Sequence, residues 1–291
     1  MAATFHRPKK EVYKGNPLPH NDFQPHEGKA SSEEVNFYQQ KIGHINYAAV
    51  QTRPDIAKAG SKLAEFLMNP SKYHHRIAEE VIDYLYATRH LAIQFGGSPN
   101  APERQLQAHQ SSDLPDQVKQ RDLKVASDAA FADDTSTRKS SQGSIICLFG
   151  GPVSWKATKQ STVTMSSTEA ELLAFTHTAR ETIATQRLFQ QLELQLDEDP
   201  VIECDNKQTI RLVNLDSPRI KTALKHVDVH NSWARQAYQE GHFKVAYTPS
   251  AEMLADGLTK ALPGQKFDQF VKQLGLVDIR HLIEAPPEST D

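Results

Sequence analysis

Between positions 96 and 122 the chain reads GGSPNAPERQLQAHQSSDLPDQVKQRD, and on its two sides the apolar residues follow different periods. A stretch so polar, punctuated by proline and nearly free of periodicity, has the composition of a linker. The chain must therefore fold as two blocks of different architecture. Before the linker, Val35, Tyr38, Ile42, Ile45 and Ala49 recur at helical spacing behind Ser32 as the expected cap. Thr52-Arg53-Pro54-Asp55 restarts a helix with proline in its first turn and Ile56, Leu63 and Leu67 on one face. Asn69-Pro70-Ser71 breaks it, and Ile77, Val81, Tyr84 and Leu85 mark the buried stripe of a third helix ending near Arg89.

After the linker the pattern predicts strands over 123–131, 143–149 and 153–157, the last following a Gly150-Gly151 turn. A long helix over 168–192, a strand over 201–204, helices over 207–214 and 227–240, a strand over 243–247 and a helix over 251–261 complete the order. Strands and helices mixed in this way make an α/β domain. The organisation expected is an extended arm at 1–30, where Pro8, Pro17, Pro19 and Pro25 accompany few apolar residues, a helical segment at 31–95, a linker at 96–122, an α/β domain at 123–280 and a tail at 281–291.

Charge and cysteine content narrow the chemistry. Lys and Arg total 33 against 36 Asp and Glu, a formal charge of −3, so the molecule as a whole is not an electrostatic glue for nucleic acid, and any such contact is local. Cys147 and Cys204 lie in separate strand-like apolar runs, the pattern of reduced buried thiols rather than a disulfide or zinc framework. The longest apolar run, Ile145-Ile146-Cys147-Leu148-Phe149, is far too short to cross a bilayer, and the polar start shows no leader, so an intracellular protein without membrane partners is expected.

Four carboxylates stand where elements begin or end: Asp128, Glu171, Asp205 and Asp256. Asp128 interrupts the apolar or small strand Val125-Ala126-Ser127-Asp128-Ala129-Ala130-Phe131, where an unpaired buried carboxylate is costly and a cation would remove the cost. Asp205 follows the strand Val201-Ile202-Glu203-Cys204, at the carboxyl edge where open α/β sheets bind ligands. Glu171 has a competing role, because Thr168-Glu169-Ala170-Glu171 matches a capping box, and from local sequence alone the cap takes precedence. Asp256, taken singly, fits a solvated helix surface. As a set, hard oxygen donors from separate elements suit Mg²⁺ or Mn²⁺, and a two-ion site points to phosphodiester hydrolysis.

Ser127-Asp128-Ala129, Ser166-Ser167-Thr168-Glu169-Ala170-Glu171-Leu172, Cys204-Asp205-Asn206, Lys225-His226-Val227-Asp228 and Ala255-Asp256-Gly257-Leu258-Thr259-Lys260 occur in that order. Together they resemble the ribonuclease H domain of copia-type retrotransposon polyproteins. Gln40-Lys41-Ile42-Gly43 and Thr52-Arg53-Pro54-Asp55-Ile56-Ala57 resemble the segment joining reverse transcriptase to that domain, and Gln273-Leu274-Gly275-Leu276-Val277-Asp278 resembles a fungal-type ending. The resemblance covers residues 24–280 and implies a ribonuclease H-like, five-stranded mixed sheet flanked by helices and preceded by a small helical unit.

It also implies cleavage of the RNA strand of an RNA:DNA hybrid, leaving a 3′-hydroxyl, with two Mg²⁺ ions for which Mn²⁺ can substitute. The family's metal-binding acids carry over to Asp128, Glu171, Asp205 and Asp256, with Glu169 left to the helix dipole. Asp128 and Asp205 would hold the ions, Glu171 would fix one and orient water, and Asp256 would complete the second site. One departure is Ser232, where similar sequences carry histidine. A polymerase domain is the implied neighbour of the helical segment, which would expose an apolar face without it.

Residues 135–168 hold Arg138, Lys139, Lys156 and Lys159 and no acid, and Lys207, Arg211, Arg219, Lys221 and Lys225 follow Asp205 with only Asp216 among them. Lys156, Lys159, Lys207, Arg211 and Lys225 are therefore the expected phosphate contacts. Three features are set aside. Phe131-Ala132-Asp133-Asp134 resembles a polymerase turn but lacks the surrounding palm and reads as a polar turn. His226 and His230 share a helix face but lack further ligands for zinc, and Trp155 is assigned to the core rather than to base stacking. Two rival functions remain: a non-catalytic retroelement remnant that binds nucleic acid or a protein, and a duplex-DNA nuclease of the same fold.

Overall fold

The computed structural model describes the chain except residues 2, 6, 8–10, 21–22, 97–122, 194–195, 197–198, 215–224 and 284–291. The linker beyond Gly96, Asp216, Arg219, Lys221 and the tail from residue 284 thus lie outside the described residues. The helical segment forms α1 (Ser32–Gln51), a 3₁₀ turn (Pro54–Ile56), α2 (Ala57–Ala64) and α3 (Lys72–Ala87), followed by a short strand β1 (Leu91–Ile93). The cap of α1 is Ser31, not Ser32. Ser31 Oγ accepts from the Glu34 N–H and Glu34 Oε2 accepts from the Ser31 N–H, whereas the residue three beyond Ser32 is Val35, which cannot reciprocate.

The second block runs β2 (Leu123–Ala130), β3 (Ser141–Leu148), β4 (Gly151–Lys159), α4 (Ser167–Gln191), β5 (Val201–Cys204), α5 (Lys207–Asn214), α6 (Lys225–Gln239) and β6 (Lys244–Tyr247). After these come α7 (Asp256–Thr259), α8 (Gly264–Gln273), β7 (Leu276–Asp278) and α9 (Arg280–Ile283). The sheet order is β4-β3-β2-β5-β6, with β2, β3 and β4 antiparallel and β5 and β6 parallel to β2. This is the five-stranded mixed sheet of a ribonuclease H-like fold.

Alternation along the strands sends side chains to two cores. Val125, Ile146 and Ile202 face Leu172 and Phe175 of α4 and Val227 of α6. Ala126, Ile145 and Cys147 face the opposite layer, built from Ile42, Ile45, Ile56 and Leu63 of the helical segment with Leu258 and Phe270. The helical segment therefore spends its apolar stripe on the sheet rather than exposing it, although Phe37, Tyr47 and Val50 of α1 stay exposed. Residues of the arm join the same layer through buried Phe5, Leu18 and Phe23.

Polar contacts tie the layers together. Trp155 Nε1 donates to the Ala49 carbonyl at 2.7 Å, which places this tryptophan at the edge of the core. Lys58 donates to Ser141 Oγ at 2.7 Å and pairs with Asp133 at 3.3 Å. Strand β7 pairs antiparallel with β1, Leu276 opposite Ile93, so the end of the second block is stitched to the end of the first. Among the described residues no helix is long and apolar enough to cross a membrane.

Candidate active site

The site begins at β2. Ser127 is in register with Cys204 of the parallel strand β5, so the next residues along, Asp128 and Asp205, are neighbours just past the last pair that joins the two strands, Asp128 still within β2 and Asp205 beyond the end of β5. Asp128 is 1% exposed. Its antiparallel partner is Gly143 on β3, and a Cβ built at Gly143 would lie 2.8 Å from Leu258 Cβ and 3.1 Å from the Ala255 carbonyl. The missing side chain is what lets α7 settle against the sheet and bring Asp256 and Thr259 to Asp128.

Glu171 arrives from the other layer. Ala129, Ala170 and Ala174 pack together, and these small side chains allow α4 to approach β2 closely. The cap of α4 is Ser166, whose side chain accepts from the Glu169 N–H, and Glu169 Oε2 accepts from the Met165 N–H at 2.7 Å. The acid that serves the helix start is thus Glu169, two residues earlier than the local sequence suggests, and it reaches back past the cap to Met165. Glu171 is left buried and free of the cap.

The predicted acids interact in two overlapping sets, Asp128 with Asp205 and Asp256, and Glu171 with Asp128 and Asp205. Burial first, then Asp256 and Asp205, push the Asp128 carboxyl above its ordinary range, while Lys260 and the Thr259 hydroxyl oppose the rise. Burial, then Asp128 and Asp205, drive Glu171 up in the same way, and the Ala129 backbone opposes it. Asp205 accepts a hydrogen bond from Ser250 Oγ at 2.6 Å. Asp256, 15% exposed at its side chain, pairs with Lys260 rather than facing solvent.

Two buried oxygens in the cluster have no hydrogen-bond partner: Asp128 Oδ1 and Glu171 Oε2. A buried carboxylate oxygen without a donor is an expensive arrangement unless a cation meets it. The donor set is hard oxygen throughout, which fits Mg²⁺ or Mn²⁺. Oxygens of Glu171 and Asp205 and the sulfur of Cys204 lie within 4.8 Å of one another. Cys204 remains a neutral thiol, its pKa raised by burial and then by Glu171, so it lines the site without supplying a thiolate.

Thr259, Lys260 and Ser250 are the members that sequence reasoning passed over. Thr259 Oγ1 donates to Asp128 Oδ2, and Lys260 Nζ lies 3.6 Å from the same oxygen while pairing with Asp256. The signal for the first two was the Ala-Asp-x-x-Thr-Lys run itself, which places a hydroxyl and a cation three and four residues beyond Asp256. Ser250 gave no local sign.

The expected phosphate contacts separate into two groups. Lys159 is committed to Asp134 and, at 2.7 Å, to Glu65, so it binds the helical segment. Its location in an acid-free stretch gave no warning, because both partners lie outside that stretch. Lys156 is exposed and 3.0 Å from His177 Nε2, beside a pocket lined also by Gln142, Ser144 and Thr158. Lys207 sits over the Tyr247 ring at 4.6 Å at the start of α5, close in sequence to Asp205, while Arg211 lies within α5 and Lys225 opens α6. Asp133 and Asp134 form the polar turn expected of them, with Asp134 accepting from the Ser136 N–H and Oγ. His226 lies 3.3 Å from Thr162, and among the described residues the histidines form no metal-holding group.

No family model matches the chain. The retrovirus-related Pol polyprotein from transposon TNT 1-94 of Nicotiana tabacum is 34% identical over 239 residues, 82% of this chain and 16% of that polyprotein. That from transposon RE2 of Arabidopsis thaliana is 29% identical over 242 residues, 83% of this chain and 15% of the polyprotein. The chain thus spans about one sixth of the length of these relatives. Among solved structures, LC11-RNase H1, isolated from compost, aligns at 14% identity over 52% of this chain and 98% of that chain, with a TM-score of 0.36.

Proposed function

Because the chain belongs to the retrovirus-related Pol polyproteins of copia-type transposons, we propose that residues 123–280 are a metal-dependent ribonuclease H that cleaves the RNA strand of RNA:DNA hybrids. The observation that carries this reading is that Asp128 interacts with Asp205, Asp256 and Glu171, with Asp128 Oδ1 and Glu171 Oε2 buried and unpartnered. Polyproteins that copy RNA into DNA generate the hybrid such an enzyme consumes.

Asp128 and Asp205, neighbours at the β2–β5 junction, would hold the divalent ions together with Glu171 of α4 and Asp256 of α7. Bound there, Mg²⁺ or Mn²⁺ supplies activation of water and neutralisation of the charge that develops on the leaving oxygen. The chain's own part is positional. β2 and β5 fix two carboxylates rigidly, the Gly143 contact sets α7, and Ser250 holds Asp205 in one orientation. On a protein of formal net charge −3, Lys156 and Lys207 offer local positive charge for a phosphate backbone. A 2′-hydroxyl is the group that would distinguish the RNA strand.

The test is cleavage of a labelled RNA:DNA hybrid by the full chain with Mg²⁺, beside duplex DNA of the same sequence and an EDTA control. Metal-dependent cleavage of the RNA strand alone is expected, with loss of activity in Asp205→Asn. Binding of hybrid without turnover would support the remnant reading instead, and preference for duplex DNA would support the other nuclease class.

A further inference from the structure

Lys260 is the cation nearest the acids, and its position is peculiar. It pairs with Asp256 one helical turn away and lies 3.6 Å from Asp128 Oδ2, yet its side chain is 41% exposed. Its amino group therefore touches two of the four carboxylates while keeping a path to solvent. Burial works against its charge, while Asp128 and then Asp256 favour it. Thr259, its neighbour, already donates to the same Asp128 oxygen, so two donors meet on Oδ2 and none meets Oδ1.

The geometry points to Lys260 as a built-in counter-ion that holds Asp128 and Asp256 together before metal binds and is displaced when a divalent ion enters. This rests on the metal-site reading above. An ammonium and a divalent cation both neutralise the same two carboxylates, and crowding all three charges would set like charges against each other at short range in a poorly screened site. Lys260 would thereby compete with metal for Asp128 and Asp256. It would keep the metal-free chain folded at the expense of metal affinity, and its exposed side gives the stem room to swing away. On this reading Lys260 is a positioning residue.

The test uses the full chain stripped with EDTA and titrated with Mn²⁺, free Mn²⁺ being followed by electron paramagnetic resonance. Lys260→Met keeps the stem and removes the charge, and Lys260→Arg restores a charge. We expect Lys260→Met to bind Mn²⁺ about tenfold more tightly than the unmodified chain and to melt at lower temperature without metal, with Lys260→Arg close to the unmodified chain. A second readout needs no variant: labelling by an amine-reactive reagent, located by mass spectrometry, should find Lys260 severalfold more reactive in saturating Mg²⁺ than in EDTA.

Equal Mn²⁺ affinity in Lys260→Met and the unmodified chain would overturn the inference while leaving the metal site standing. If Lys260→Met does not fold, unchanged Lys260 reactivity in a chain whose melting temperature Mg²⁺ raises would overturn it equally. Absence of any Mn²⁺ binding by the unmodified chain would remove the metal-site reading and this inference with it.

Discussion

Thr259 donates its hydroxyl to the carboxylate of Asp128 across 131 positions of sequence, joining the small helix α7 to the central strand β2. Asp128 is almost wholly buried, so each donor it keeps matters. Thr259→Val, which preserves shape and deletes the donor, should destabilise the metal-free chain by about 1–3 kcal/mol. Denaturant unfolding in EDTA measures this. A cost near zero would mean that the contact does not compensate the buried charge.

Gly143 is where α7 touches the sheet. Gly143→Ala would place a Cβ 2.8 Å from Leu258 Cβ and 3.0 Å from Thr259 Cγ2, and α7 must shift to relieve it. We predict a loss of about 1–3 kcal/mol in stability, the range for overpacking, together with a smaller rise in melting temperature on adding Mg²⁺. Gly43→Ala is the control. Gly43 lies within α1 with nothing within 4 Å of its added Cβ, so that change should stabilise by roughly 1 kcal/mol and leave the Mg²⁺ response unaltered.

Burial holds the Asp128 and Glu171 carboxyls above their ordinary range in the metal-free chain. The folded state therefore binds protons that the unfolded state has released, and the stability these groups contribute is full below the ordinary carboxyl range and falls as pH rises through the raised values. Melting temperature in EDTA should accordingly fall, relative to Asp128→Asn, as pH climbs from about 4 upward. Mg²⁺ should restore the unmodified chain at the alkaline end and not the variant. Parallel pH profiles for the two proteins would contradict the assignment of Asp128 as a buried, proton-binding acid.

The helical segment is part of the α/β domain's hydrophobic interior. Ile42, Ile45, Ile56 and Leu63 are each at most 1% exposed against the sheet layer, and burial of such side chains contributes roughly 1.5–3 kcal/mol apiece. Removal of residues 1–95 should thus consume most of a stability that is typically about 5–15 kcal/mol, and the remainder should aggregate or fail to melt cooperatively. Trp155→Phe, which deletes the hydrogen bond to Ala49 and shrinks the ring packed at the core's edge, should cost about 1–3 kcal/mol. Calorimetry of both proteins tests the interface at two scales.

Much of this was legible in the residues, and the exceptions have physical causes. Asp128 announced itself because a carboxylate in an otherwise apolar strand needs a partner. The succession of strands and helices along the second block followed from the apolar periods, and the five-stranded mixed sheet from the resemblance its motifs carry. The cap of α4 misleads because Thr168 and Glu171 have capping-box spacing, whereas the folded helix is capped by Ser166 with Glu169 on the Met165 N–H, which leaves Glu171 free of the helix start. The helix expected over 251–261 shrinks to Asp256–Thr259, with Met253, Leu254 and Ala255 buried in the segment that leads into it. Strands β1 and β7, three residues each, carry no local period, and their pairing joins Leu91 to Asp278 across most of the chain. Lys159 was read as a phosphate contact because its partners Glu65 and Asp134 approach only on folding.

The account stands most directly on where a divalent ion goes. Crystals of the full chain soaked in Mn²⁺ and measured at the manganese absorption edge should show anomalous density among Asp128, Glu171, Asp205 and Asp256, with Asp128 Oδ1 and Glu171 Oε2 among the ligands. In Asp128→Asn that density should be lost or weakened. Density at other acids only, with these four carboxylates empty at saturating Mn²⁺, would contradict the account.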